Sequence, residues 1–254
     1  MFNMFFRSRY RKRSRGWAAL RAIPAVSRTL IWLPRLLLLL LLVDLFYVAT
    51  IWPDWSRYKH GAIPKSRFMQ QYLKTRHQLG APPLRWSPVP LEEIPQHLQR
   101  AVVVAEDSRF YQHDGFDLIA FREAMDYNLS SGRPALGAST ISQQTVKNLF
   151  LSSRRDPLRK WHELLLTWGM EHNLSKNRIL ELYLNIAELG PGVYGVQAAS
   201  EYYWSKPVSE LNLQQAIELA ATLPAPKKQN PLTRSKGFER RLEKIETWMS
   251  PPPT

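Results

Sequence analysis

The chain has no cysteine among its 254 residues. That excludes a disulfide framework and a thiol nucleophile. Its six histidines show no metal-ligand spacing, so no resident metal centre is expected. Acidic residues are missing from the first 35 positions, which carry nine Arg or Lys and so contribute +9 of the net charge of +14. The other 219 residues are only mildly basic, at +5. No internal repeat occurs, and no strand-like alternation of any length. The glycine-rich stretch Gly190–Gly195, G-P-G-V-Y-G, lacks both a preceding strand and a following Lys-Ser/Thr. It is read as a loop needing left-handed backbone, not as a nucleotide-binding loop.

Beyond the basic tail the chain is nearly all apolar from Leu30 to Trp52, with seven leucines in Leu36–Val43. About 20 apolar residues span a bilayer as a helix, and a basic flank stays in the cytoplasm. The reading is a basic cytoplasmic tail (1–35), a transmembrane signal anchor (36–52), a juxtamembrane connector (53–85) and a periplasmic domain (86–250). A soluble protein with a basic, nucleic-acid-binding arm is the weaker alternative. A cleaved signal peptide lacks its small-residue cleavage site. Arg35 can snorkel to the interface, whereas Asp44 falls mid-span, where a carboxylate is costly.

In the connector, 64–79 reads as one helix. It either packs on the main domain or lies among outer-leaflet headgroups. Beyond Gln96 the 3,4 spacing of Leu98, Ala101, Val102 and Ala105 predicts a buried helix face. Further helix starts are read at Asp117, at Thr140 with Gln143 as a capping box, at Asp156-Pro157, at Ser175 and at Asn212 with Gln215. A charged amphipathic helix closes the chain over 238–249. The soluble part is predicted to be one mostly α domain.

Three groups of residues carry chemistry. Glu106 and Asp107 are adjacent, and a like charge with partial burial raises a carboxylate's pKa, which suits Glu106 to general-base work. The bland reading is a pair of surface residues at a helix end. Thr140, Gln143, Gln144 and Lys147 fall at i, i+3, i+4 and i+7 and share a polar face ending in a cation. An ordinary amphipathic helix has such a face too, but paired Gln with Thr suits sugar hydroxyls and phosphate oxygens. Arg159 and Glu163 lie four apart, which is either a plain ion pair or, with the first-turn N–H groups beside Arg159, an anion site.

The blocks E-D-S-R-F-Y-Q-H-D-G-F-D, G-A-S-T-I-S-Q-Q-T-V-K-N-L-F, R-K-W-H-E, K-N-R-I-L-E-L-Y-L-N and G-P-G-V-Y-G-V-Q-A-A occur in that order between about Trp86 and Pro231. In them the chain resembles the peptidoglycan glycosyltransferases of the lysozyme-like family. It is most similar to the monofunctional branch, since no transpeptidase domain comes after them. The resemblance implies a lysozyme-like fold and a transfer from undecaprenyl-diphosphate-linked glycan to the 4-hydroxyl of the N-acetylglucosamine in incoming lipid II, with inversion to a β-1,4 bond. It implies Glu106 as the base and Glu163 as a helper at the donor diphosphate. Lys147 and Arg159 match the family's diphosphate cations, and Ser139, Thr140 and Gln144 its donor-site contacts. Asp107, Phe110, His113, Asn148 and Lys160 fall in the same motifs and are carried over as substrate-binding. No cofactor is expected to be tightly bound; Mg²⁺ or Mn²⁺ accompanying the diphosphate is allowed. The implied setting is the bacterial inner membrane, with other cell-wall synthesis or division proteins as further partners and no nucleic acid. Where the family often has Y-F-G-K, this chain has Tyr203-Trp204-Ser205-Lys206.

Two other functions compete. A glycan-cleaving lytic enzyme or lysozyme would also use one Glu in a helical domain, but needs no cations aimed at a diphosphate. A non-catalytic membrane scaffold would need none of these residues.

Overall fold

The computed structural model describes residues 25–132, 137–152 and 156–250, with side chains from 32 onward. The basic tail before residue 25 lies outside the described residues. Two compact units succeed one another, 1–52 and Pro53–Thr254.

The first unit holds one helix, α1 (Ala25–Ile51). Its apolar stretch runs over Trp32–Ile51, 20 residues of mean hydropathy 2.0. At 1.5 Å per residue that is about 30 Å, the thickness of a bilayer's hydrocarbon core. The stretch starts four residues before the predicted span. Arg35 therefore lies inside it, with its guanidinium 5.1 Å from the centroid of the Trp32 ring.

The second unit is built from α2 (Ser56–Lys59), α3 (Arg67–Thr75), α4 (Gln96–Glu106), α5 (Leu118–Ser131), α6 (Ile141–Phe150), α7 (Pro157–Asn173), α8 (Lys176–Ile186), α9 (Val196–Trp204), α10 (Leu213–Thr222) and α11 (Lys236–Met249). Its hub is α8, where eight of eleven residues are buried, from Arg178 to Ile186. A helix buried on nearly every side has to be surrounded, and α6 packs on it and on α7, while α10 packs on α4 and α11.

The helix starts derive from local chemistry. Thr140 and Asn212 each close a capping box, with Gln143 and Gln215. Ser66, Asp117, Asp156, Ser175 and Ser235 each accept a backbone N–H three residues on. The 64–79 helix is shorter than its periodicity suggested, because Ser66 caps it late and it ends at Thr75. It packs on the domain: Met69 is fully buried, Tyr72 donates to the Pro82 carbonyl at 2.7 Å, and Arg67 Nη1 donates to the Phe150 carbonyl at 2.9 Å.

A small sheet was not legible in the sequence. β1 (Arg85–Trp86) pairs in parallel with β3 (Val193–Tyr194), and β3 pairs antiparallel with β2 (Glu188–Gly190). Strands of two or three residues are too short for alternation to register. A strand therefore does run into the glycine-rich stretch, contrary to expectation, but the element is a hairpin. Its glycines answer to geometry. Gly192 and Gly195 have φ of +75° and +80°, and a Cβ on Gly195 would stand 2.7 Å from the Asn185 carbonyl oxygen.

Candidate active site

Glu106 is the last residue of α4. Its carboxylate is nearly buried and accepts from Gln144 Nε2 at 2.8 Å and from the Arg241 guanidinium. Tyr183, fully enclosed in α8, donates to Gln144 Oε1 at 3.1 Å, which fixes the amide with its nitrogen toward Glu106. Burial pushes Glu106 above the usual carboxylate range; Arg241, Gln144 and Lys147 oppose the shift, and Asp107 adds to it. Arg241 comes from α11, outside every motif singled out in the sequence. Only its place among the charged positions of an amphipathic helix marked it, and nothing local tied it to residue 106.

A cavity of about 430 Å³ opens beside this carboxylate, lined by Gln144 and Lys147 of α6 and by Arg159, Lys160 and Glu163 of α7, with Ser139, Phe68 and Ser152. The α7 cluster is one network. Glu163 Oε2 accepts from Arg159 Nη1 at 2.7 Å, and Oε1 from Lys160 Nζ at 2.5 Å; Lys160 also donates to Ser139 Oγ at 3.3 Å. Glu163 is only 2% exposed, and both of its oxygens are engaged. It therefore aims two cations. Arg159 Nε is buried and has no partner, and among the described residues Lys147 makes no side-chain hydrogen bond. Burial lowers the Lys147 pKa, with Glu163 pulling the other way. Three cations against one carboxylate, with donors to spare, form a site for a strongly anionic group. The backbone N–H of Arg159 does not contribute as expected: the Asp156 carboxylate already takes it at 2.7 Å.

A second cavity, of about 190 Å³, shares Ser139 with the first. Among the described residues its charged lining is Glu106, Asp107 and Asp117, with no Lys or Arg. Acidic and cationic halves thus meet at Ser139.

The structure does not bring every expected residue to the cleft. Phe110 is fully buried, under the Lys176 ammonium at 4.6 Å from its ring centroid, so it is a core residue. Asp107 accepts from the Ile141 N–H at 3.0 Å and pairs with His113 Nε2 at 2.9 Å; the two join the end of α4 to the start of α6. The Thr140 hydroxyl donates to the Gly115 carbonyl at 2.7 Å. Although Asp107 and Thr140 border the smaller cavity, their polar atoms are committed to the scaffold. Gln143, expected on the polar face with Gln144, is buried and closes the capping box. Asn148 lines a third cavity with Lys147, Tyr194 and Glu188. Glu163 and its two cations do not fit a resident divalent ion, because this carboxylate, alone among the described residues lining the cationic cavity, is already neutralised.

Comparison with known proteins gives the family. The Transglycosylase family model matches residues 74–250, from the end of α3 through α11. The chain is 40% identical over 199 residues to the biosynthetic peptidoglycan transglycosylase of Nitrosospira multiformis, covering 77% of this chain and 86% of the relative. With that of Methylobacillus flagellatus it shares 39% over 218 residues, 84% of this chain and 93% of the relative. With that of Nitrosomonas eutropha it shares 44% over 197 residues, 77% and 81%. The chain belongs to the transglycosylase family, the glycosyltransferases of peptidoglycan synthesis in the bacterial cell wall.

Proposed function

We propose that this enzyme polymerises lipid II into β-1,4 glycan strands by a single inverting displacement. Glu106 takes the proton from the 4-hydroxyl of the acceptor N-acetylglucosamine as that oxygen attacks the donor anomeric carbon. The bond from that carbon to the diphosphate oxygen breaks, and undecaprenyl diphosphate leaves with the electron pair. Lys147, Arg159 and Lys160 stabilise the charge gathering on the leaving group. Glu163 acts on Arg159 and Lys160 as a positioning residue. No step is routed through a metal ion.

The observation that carries this reading is the division of the cleft. An acidic half holding the base adjoins a cationic half with unspent donors. A glycosidase has no anionic leaving group to stabilise and would not need the second half.

The apolar α1 supports a membrane setting, and the basic tail supports an N-terminus in the cytoplasm with the catalytic domain in the periplasm. The exposed apolar residues Leu118, Ile119, Phe121, Met125 and Leu129 of α5, and Trp161 of α7, support contact of the domain with lipid, where the substrate's tail resides. Phe150 is turned to the domain instead, packing its ring against Trp55 and Tyr58 at 5.6 and 5.2 Å.

The deciding assay supplies purified lipid II and, separately, finished glycan. Polymer from the first and no fragments from the second are expected. Fragments without polymer would replace the synthetic reading with a lytic one.

A further inference from the structure

The wall of the acidic half-cleft is completed by one aromatic residue, Trp248 of α11. The buried stripe of α11 is Phe238, Leu242 and Ile245. Arg241 and Trp248 lie seven apart, two turns along the helix, and so share a face beside that stripe. Arg241 reaches the Glu106 carboxylate, and Trp248 emerges into the cavity that Glu106 lines. The indole is 45% exposed. A single exposed apolar side chain on a convex surface is ordinary. This one borders a concave site that also holds the base. Lys244, one turn back, places its ammonium 4.6 Å from the ring centroid and holds the indole in place.

Electrostatics decide what this half-cleft takes. The three carboxylates here are each already engaged, Glu106 by Arg241, Asp107 by His113 and Asp117 by Arg109, whereas the cations with unspent donors line the other cavity, so the donor's diphosphate belongs on the Lys147 side. A neutral sugar is compatible with the acidic side. Its hydroxyls suit carboxylates and Ser139, and its apolar C–H face suits a flat aromatic ring. The sugar that presents its hydroxyl to Glu106 is the acceptor's outer one, and it is neutral.

We infer that Trp248 is the stacking platform for the acceptor N-acetylglucosamine, carrying its ring so that the 4-hydroxyl meets Glu106. This rests on the polymerase reading and adds to it a residue that sets acceptor affinity.

Trp248→Leu keeps apolar bulk and loses the flat face; Trp248→Phe keeps both. In the full-length enzyme, with preformed glycan donor saturating, the Leu variant should raise KM for lipid II as acceptor roughly three- to tenfold, the worth of one aromatic contact. Its kcat and its binding of a non-reactive donor analogue should stay near parental, and the Phe variant should stay within about twofold of the parent by the same scale. A second readout needs no turnover. Saturation-transfer NMR of the soluble N-acetylglucosaminyl–N-acetylmuramic acid disaccharide should show contact with the parent and a weakened signal with the Leu variant. Equal KM and equal disaccharide contact in all three proteins would overturn the platform. So would a parallel loss of donor-analogue binding, or a Leu variant that loses only vesicle binding. A parent that holds the disaccharide but makes no polymer would instead overturn the polymerase reading.

Discussion

Arg241 and Glu106, 135 residues apart in the chain, form an ion pair in the wall of the cleft. The same guanidinium donates to the Ala105 carbonyl at 3.1 Å, which ties α11 to the last turn of α4. The proposed base therefore has a buried setting that raises its pKa and a cation that restrains the rise.

Removing that cation should move the acid limb of the pH–rate profile. Lys147 of α6, Tyr183 of α8 and Asp107 also face Glu106, and none of them replaces Arg241 at hydrogen-bonding distance. The acid limb of kcat/KM in Arg241→Met should lie at higher pH than in the parent, with Arg241→Lys between the two. A limb that stays in place in both variants would remove Arg241 from this role.

Glu106→Gln keeps size and hydrogen bonding but accepts no proton. Polymerisation should fall by ~10²–10⁴, with binding of a non-reactive donor analogue near parental. The same change should stabilise the fold. Because the folded pKa of Glu106 is raised, the stability linked to its protonation is complete below the ordinary carboxylate range and is lost as pH rises through the folded value. Thermal melts should show the Gln variant above the parent at neutral pH, with the gap closing in acid. Near-parental polymer yield would refute the base assignment.

Lys147→Ala should act differently, since it leaves a bound diphosphate short of a cation. Donor affinity and rate should fall together, by about 1.5–3 kcal/mol or roughly ten- to a hundredfold. Donor-analogue titration beside single-turnover kinetics measures both; a loss confined to the rate would place Lys147 away from the diphosphate.

Gly195→Ala should destabilise the domain by more than about 2 kcal/mol, since strained backbone and a clash act together. The added Cβ would press on the Asn185 carbonyl, which receives the Trp86 indole N–H at 2.9 Å. Urea melts of the parent and variant give the difference, and parental stability would contradict the geometry.

Topology is open to direct test. Protease outside sealed spheroplasts should digest or release the domain after residue 53 and spare the basic tail. A protected domain would reverse the proposed orientation.

Much of the fold is legible in the sequence because it is local. Caps at Thr140, Asp156, Ser175 and Asn212 depend on one residue and the backbone N–H just beyond it, so the helix starts stand in the sequence. The clustering of Lys147, Arg159, Lys160 and Glu163 is nearly local as well, being two helix faces and their i,i+3 and i,i+4 partners. What cannot be read is what only the fold brings together. Phe110, Asp107 and Thr140 sit in motifs beside Glu106, yet their atoms are committed inward, to Lys176, to Ile141 and to Gly115. Sequence position gives proximity along the chain but not the direction of a side chain. Arg241 shows the converse, a distant residue whose guanidinium meets the carboxylate because α11 lies against α4 and α10.

The long loop closed by Arg241 also bears on the order of synthesis. A ribosome releases Glu106, Lys147 and Glu163 well before α11, so the emerging chain has the proposed base and the proposed leaving-group cations while Arg241 is still missing. A product halted before residue 241 would carry all five sequence blocks of the resemblance and still lack the cation that pairs with Glu106. The proposed competence would then arrive with α11.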